Sequence, residues 1–446
     1  LLVTSEVADD DATLTTHSSD KWVASYAPEA VVFAQSAEDV SRLLRFCTER
    51  NIPVTARGAG YGYVGGCVPV RGGVALSLAR MNRVLELNGE DFVAVVEPGV
   101  ITGDLQDAAR AQGLFYPPDP ASLKHSTLGG NIATNAGGPR CLKYGVTRNY
   151  VLGLEVVLAN GDIVRCGGRT HKNKTGLDLV GLFVGSEGLL GVVTQATLRL
   201  LPLPPARAVI SCGFTGTRVA AAAVQTIFRH GWLPAAVEIA DRFTLEAARI
   251  LAGAGSIIPA GEAHLLVEID GSEKTVQREI EDLRTLLLDS GAISPEIALN
   301  ADGERLWDLR RSFSASLKGT GLTKLNEDVV VPRGRLVDLM DFAAGLQARY
   351  GLPVACFGHA GDGNIHVNLM AADYHELEVA ASVEMALDEL FAQVLAWGGA
   401  ITGEHGVGLA KRRWWPAAVS AENHALHQTL KQALDPTGIL NPGKFL

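Results

Sequence analysis

The chain has 446 residues, a formal charge of −10 at pH 7 and 49 glycines. That length suits two or three domains of ordinary size, or one large and one medium, with ample material for buried cores. The acidic balance, with no run of Lys and Arg, excludes a nucleic-acid surface, which needs a basic stripe.

Alternating helices and strands are predicted through the first half. Leu1 to Asp11 carries neither a basic transit pattern nor a signal pattern. Ser36 with Asp39 looks like a capping pair, and Val40, Leu43, Leu44 and Cys47 then form one apolar face of a helix. Strands are expected at Ile52 to Ala56, Val74 to Leu78 and Phe92 to Val96. Thr102 is expected to cap a helix that stops at Gly113. Leu154 to Leu158 and Ile163 to Cys166 flank Asn160-Gly161, a hairpin signal. The proline-rich Leu200 to Pro205 stretch reads as a domain exit. Beyond it, helices are predicted over Ser272 to Ser290, Arg335 to Tyr350 and Ala380 to Trp397, and strands over His264 to Ile269 and Ile365 to Met370. No apolar run approaches the ~20 residues that span a bilayer. The six cysteines, Cys47, Cys67, Cys141, Cys166, Cys212 and Cys356, show no C-x-x-C spacing. A disulfide scaffold, a zinc ribbon and a four-cysteine iron–sulfur site are therefore unsupported, and a reducing compartment is expected: the cytoplasm, or the mitochondrial matrix in a eukaryote.

Glycine clusters in the first half carry the first functional signal. Arg57-Gly58-Ala59-Gly60-Tyr61-Gly62 follows a predicted strand, and such a loop either aims backbone N–H groups at phosphate oxygens or is a plain surface loop. It is neither the G-x-G-x-x-G fingerprint nor a P-loop. A second cluster, Leu128 to Gly138, has small residues at almost every step, which helix and strand interiors rarely tolerate. A third runs from Gly185 to Val192. Clusters repeated in this way point to a large, elongated cofactor pressed against the backbone.

These segments resemble the flavin-binding domain of the vanillyl-alcohol oxidase superfamily, most closely its D-2-hydroxyacid dehydrogenase branch (glycolate, D-lactate and D-2-hydroxyglutarate dehydrogenases). The 129–138 run resembles that family's G-G-N-x-A-T-N-A-G-G motif, and Lys174 to Leu179, the 185–192 run and Asp435 to Lys444 also match, so the resemblance covers nearly the whole chain. It implies an α+β architecture: a vanillyl-alcohol-oxidase-type (PCMH) FAD-binding domain over 1–205, then an α+β substrate (cap) domain with an antiparallel sheet over 206–446. The last stretch, about 400–446, is expected to return to the FAD domain. The cofactor implied is FAD, held by Arg57, Gly58, Ala59, Gly60, Tyr61 and Gly62, by Pro118, Asp119 and Ser126, by Gly129, Gly130, Asn131, Ala133, Thr134 and Gly137, by Glu187, Gly188, Gly191 and Val192, and by Asn441. Some relatives attach flavin to a His in the Arg57 loop. Tyr61 stands at that position here, so non-covalent FAD is expected.

In the second half, Ile365, Val367 and Leu369 alternate with His366, Asn368 and Met370, a strand with one apolar face. His359 precedes a glycine-rich turn able to fold it beside His366, and two imidazoles brought together form a natural metal pair. Glu404, between glycine and His405, offers a carboxylate third ligand. Such a set serves zinc, iron or manganese, with zinc expected first. Bringing the three together is implied by the resemblance, which places the metal ligands on His359, His366 and Glu404. It also makes His405 the base that removes the substrate hydroxyl proton while hydride leaves C2 for flavin N5. Arg310 is implied to grip the substrate carboxylate, with Ser314, Lys324 and Asn368 as further substrate residues. Glutarate-oxidising members place a Lys two residues before the Asp of a D-x-x-x-P segment. Here that position is Asn326, and Lys324 is displaced, which favours glycolate or D-lactate over D-2-hydroxyglutarate or D-malate. An external electron acceptor is expected: a quinone, a cytochrome, an electron-transfer flavoprotein or an iron–sulfur subunit that holds the enzyme peripherally at a membrane. A homodimer is compatible with the resemblance. The competing readings are a zinc hydrolase, which leaves the glycine clusters unexplained, and a non-catalytic electron-transfer subunit, which has no use for the metal set and His405.

Overall fold

The computed structural model describes residues 6–252 and 258–446. The leader reading at Leu1 to Asp11 therefore falls partly outside the described residues. The chain divides into two compact units.

The first unit gathers residues up to Gly138, Gly145–Leu203 and Glu404–Leu446. One of its sheets has four strands in the order Glu6–Ala8, Ala30–Phe33, Val74–Ser77, Val54–Arg57, the last three parallel. Its five-stranded sheet is antiparallel, in the order Val84–Asn88, Val93–Val96, Val192–Arg199, Val151–Val157, Ile163–Gly167. Helix Ala37–Arg50 starts where the sequence places it: the Ser36 hydroxyl accepts from Asp39 N, and Val40, Leu43, Leu44 and Cys47 are buried. They share a core with Val54, Leu76 and Leu440. Thr102 is not the cap of its helix. Helix Thr102–Arg110 is preceded by Ile101, which gives no side-chain cap, and the Thr102 hydroxyl donates to Ser126 O instead.

The closing D-P-T-G-I-L-N-P-G-K segment is tied down within this unit. The Asp435 carboxylate accepts from Ile439 N, Leu440 N and Lys431 Nζ. Val54 N donates to Ile439 O, Asn441 N donates to Val54 O, and the Lys444 ammonium donates to Val68 O. Short polar side chains thus satisfy a backbone that has no ladder of its own.

The second unit comprises Pro139–Tyr144 and Pro204–Gly403. Its seven-stranded antiparallel sheet runs Ile293–Leu299, Ala206–Phe214, Ala263–Gly271, Ala236–Ala240, Val354–His359, Asn364–Ala371, Thr323–Val330. Helix Glu273–Asp289 is capped by Ser272, and Glu304–Lys318 buries Leu306, Trp307, Arg310 and Phe313. The short Pro139–Tyr144 segment, which sequence reasoning leaves in the first domain, packs here because of its charges. Arg140 makes a fork to the buried Glu268 carboxylate at 2.8 and 3.0 Å, while Lys143 and Tyr144 bond Asp270. The Asn364–Ala371 strand also departs from expectation. It lies between two other strands and is buried along its whole length, so both of its faces are interior rather than one.

Candidate active site

The two histidines are set by a tight hairpin. Val354–His359 and Asn364–Ala371 pair antiparallel, with His359 opposite Asn364 and Phe357 opposite His366. Gly363, at φ +84°, allows the turn, because a Cβ there would sit 2.1 Å from Val331 O. Both rings are buried, their centroids 5.5 Å apart at 80°. The chain then arrives at Glu404 along the edge of the same sheet. Val330 and Ala400 exchange backbone hydrogen bonds, and the buried Asp328 carboxylate accepts from the Thr402 hydroxyl and from Gly403 N at 2.6 Å. Glu404 is the next residue, so its place follows from where Gly403 is anchored. One donor atom from each of His359, His366 and Glu404 lies within 4.8 Å of the others. Two imidazoles and a carboxylate, mostly buried and converging, fit a divalent transition metal. His405 Nε2 stands 3.7 Å from Glu404 Oε1, and its ring lies 5.2 Å from that of Tyr63. Burial pushes the Tyr63 phenol up, reinforced by Tyr61 and Glu404.

Arg310 is nearly buried on helix Glu304–Lys318, one turn before Ser314. Its Nε donates to Glu238, and its guanidinium lies 4.9 Å from the Phe357 ring and 5.9 Å from that of Phe313. No other hydrogen bond of this guanidinium is present among the described residues, so its Nη groups stay available as donors. Lys324 Nζ donates to Ser314 Oγ at 2.8 Å, which joins these two residues. Burial, then Lys318 and Arg310, brings the Lys324 ammonium down to about 8. Asn368 spends both amide hydrogens on backbone, donating to Ala355 O and His366 O at 2.9 and 3.1 Å. Its buried Oδ1 has no hydrogen-bond partner, so Asn368 offers an acceptor, suited to a hydroxyl hydrogen rather than to a carboxylate. Asn326 lies directly opposite Asn368, and Lys324 is one pair farther along, opposite Met370.

Sequence reasoning missed Glu238. It is completely buried, and its carboxylate accepts from Arg310 Nε and pairs with His359 Nδ1 at 2.7 Å. The one available signal was a lone acid inside the apolar run Ala236-Val237-Glu238-Ile239-Ala240.

The glycine clusters meet in the first unit. Gly185 N and Glu187 N donate to Ile132 O and Ala133 O, which joins the third cluster to the second. Asn441 Nδ2 donates to Gly66 O and to Glu187 O, which joins the third to the segment after the Arg57 loop. The Asn441 Oδ1 is buried there without a partner, an acceptor left over for a ligand donor. This convergence of small residues fits a long flat cofactor. Several of the expected cofactor residues also make contacts within the protein. The Arg57 guanidinium donates to Ser19 O and Thr16 O and holds the N-terminal segment. The second cluster is not wholly irregular, since Leu128–Thr134 is a short helix capped by the Thr127 hydroxyl. Gly129 is needed there because a Cβ would sit 2.6 Å from that of Pro98. Glu187 turns its carboxylate to Val407 N and Gly408 N, at 2.7 and 2.8 Å. Tyr61 stacks on His125 at 4.7 Å, under Lys21. Pro118 O accepts from Gln106, and the Ser126 hydroxyl lies 3.4 Å from that of Thr102.

Residues 203–445 match the family of FAD linked oxidases, C-terminal domain, and residues 28–167 match an FAD binding domain. The chain belongs to the FAD-linked oxidases. The glycolate oxidase subunit GlcD of Bacillus subtilis is 41% identical to this oxidase over 419 residues, 94% of this chain and 89% of that protein. A D-lactate dehydrogenase of Anaerostipes hadrus is 36% identical over 428 residues, covering 94% of this chain and 89% of that one. In fold, the FAD-linked oxidase is similar to p-cresol methylhydroxylase, with a TM-score of 0.80 at 21% identity, covering 98% of this chain and 93% of that one. The PCMH-type FAD-binding fold and a flavin-dependent oxidoreductase follow. No helix of the described residues is long and apolar enough to cross a membrane.

Proposed function

We propose that this FAD-linked oxidase is a dehydrogenase of small D-2-hydroxy acids, glycolate or D-lactate first, working with non-covalent FAD and one divalent metal ion. The observation that carries the reading is the convergence of the His359, His366 and Glu404 donors within 4.8 Å, in a chain whose other half matches an FAD-binding domain. The names of the relatives, a glycolate oxidase subunit and a D-lactate dehydrogenase, support the substrate class. Bound FAD supplies the acceptor for the hydride from C2, and a bound divalent ion supplies Lewis acidity at the substrate hydroxyl, with zinc first and iron or manganese as alternatives.

The chain's own residues divide the remaining work. Arg310 binds the carboxylate with its Nη groups. Asn368 Oδ1 accepts from the hydroxyl and orients it. His405 takes the hydroxyl proton, a general-base task for which an imidazole is suited. The glycine clusters and Asn441 hold the flavin. The product is the 2-oxo acid. Electrons leave by way of a separate acceptor such as a quinone, a cytochrome, an electron-transfer flavoprotein or an iron–sulfur subunit. One observation favours a dicarboxylate substrate instead. Lys324 is a half-buried cation within electrostatic reach of Arg310, and a second carboxylate would compensate it.

Metal removal tests the proposal. The FAD-loaded protein, stripped with a chelator and re-supplied with zinc, manganese or iron, is expected to lose flavin reduction by glycolate and D-lactate and to regain it with one of these ions. Reduction at full rate by the stripped protein, with its metal content verified as negligible, would remove the metal from the account.

A further inference from the structure

We propose that Glu238 is a positioning residue for the metal centre: its carboxylate fixes the ring of His359 so that Nε2 is the nitrogen presented to a divalent ion. This rests on the reading of His359, His366 and Glu404 as a donor set.

Glu238 lies in the Ala236–Ala240 strand, directly opposite His359 in the antiparallel register. Its side chain is completely buried. Oε1 stands 2.7 Å from His359 Nδ1, and Oε2 accepts from Arg310 Nε. An ionised carboxylate can only accept, so the hydrogen between the two groups belongs to His359 Nδ1. That selects the neutral tautomer whose lone pair is on Nε2, and it stops the ring from turning over. The carboxylate is itself held. Its Oε2 is taken by the Arg310 Nε–H, which leaves Oε1 to His359. Arg310 is braced by the Phe357 and Phe313 rings and balances the buried charge, which would otherwise be costly. A donor carboxylate for a metal ion would not be spent on an arginine and a ring nitrogen. Glu238 therefore acts through His359 rather than as a donor to the ion itself.

The test is zinc affinity, measured on FAD-loaded, metal-stripped protein by competition with a chromogenic chelator, with zinc alone as the probe. In Glu238→Gln the amide must turn its NH2 towards either Arg310 Nε–H or His359 Nδ1–H, so the ring loses its fixed acceptor. Zinc affinity is expected to fall about 10–100-fold. The zinc-induced rise in Tm should shrink in parallel, with flavin content unchanged. A second variant guards against misfolding from an unpaired Arg310: Glu238→Met combined with Arg310→Met replaces the ion pair by an apolar one, and it should bind zinc as weakly as the first. Wild-type zinc affinity in a folded variant of either kind would overturn the positioning role. A wild-type chain that binds no zinc, manganese or iron would overturn the metal reading, and the role of Glu238 with it.

Discussion

Glu187 offers the sharpest physical prediction of the first unit. Its carboxylate is buried against two consecutive N–H groups, Val407 at 2.7 Å and Gly408 at 2.8 Å. Burial pushes the carboxyl up to about 7, against the pull of those N–H groups and of Lys444 and Lys411. In the unfolded chain the same group titrates near 4.5. The folded value is the higher one, so proton binding at Glu187 stabilises the fold fully below the unfolded value, and that stabilisation is lost as pH rises through about 7. At about 1.4 kcal/mol per pH unit, the loss amounts to about 3 kcal/mol. Glu187→Gln keeps the volume and resembles the protonated acid, with one acceptor and one donor, but it does not titrate. The wild type should therefore lose stability relative to the variant as pH rises, by roughly 3–6 °C in Tm between about pH 5 and about pH 8.5. The assay is thermal melting of both FAD-loaded proteins across that range. Parallel Tm curves would refute the reasoning, because they would mean that Glu187 titrates no differently in the folded and unfolded chains.

Two further predictions address the chemistry. His405→Ala is expected to slow anaerobic flavin reduction by about 10²–10⁴-fold while FAD content stays unchanged, as read by stopped-flow absorbance; full-rate reduction would remove His405 as the base. Lys324→Met should leave the KM for glycolate nearly unchanged and raise that for D-malate about tenfold. In the wild type the Lys324 charge fades as pH rises through about 8, because its folded value lies below its unfolded one, so any D-malate KM should climb there and the glycolate KM should not. A glycolate KM that shifts as much as the D-malate KM would place Lys324 on the shared carboxylate instead.

Local patterns were legible in the sequence. The Ser36 cap and the Val40–Cys47 face are short-range features, and the structure has both. Alternation along the Asn364–Ala371 strand was enough to put His366 and Asn368 on one side. It could not reveal that the opposite side is interior too, because that depends on the neighbouring strands. The side chains that organise the site were the hardest to read. Glu238 meets partners 72 and 121 residues away, and Glu187 meets partners 220 and 221 residues away. No periodicity carries such pairings. The partners of Arg57 were hidden for a related reason: its guanidinium donates to the carbonyls of Thr16 and Ser19, about forty residues away. The Pro139–Tyr144 segment crossed the expected domain boundary because its charges find buried carboxylates on the Ala263–Gly271 strand.

The central claim is that this chain moves a hydride from a D-2-hydroxy acid to its flavin. The most direct measurement is anaerobic bleaching of the FAD-loaded protein by glycolate, D-lactate, L-lactate, D-malate and D-2-hydroxyglutarate, mixed one at a time. The account predicts rapid loss of the oxidised flavin spectrum with glycolate or D-lactate and none with L-lactate. Reduction by L-lactate alone, or by none of the five, would contradict it.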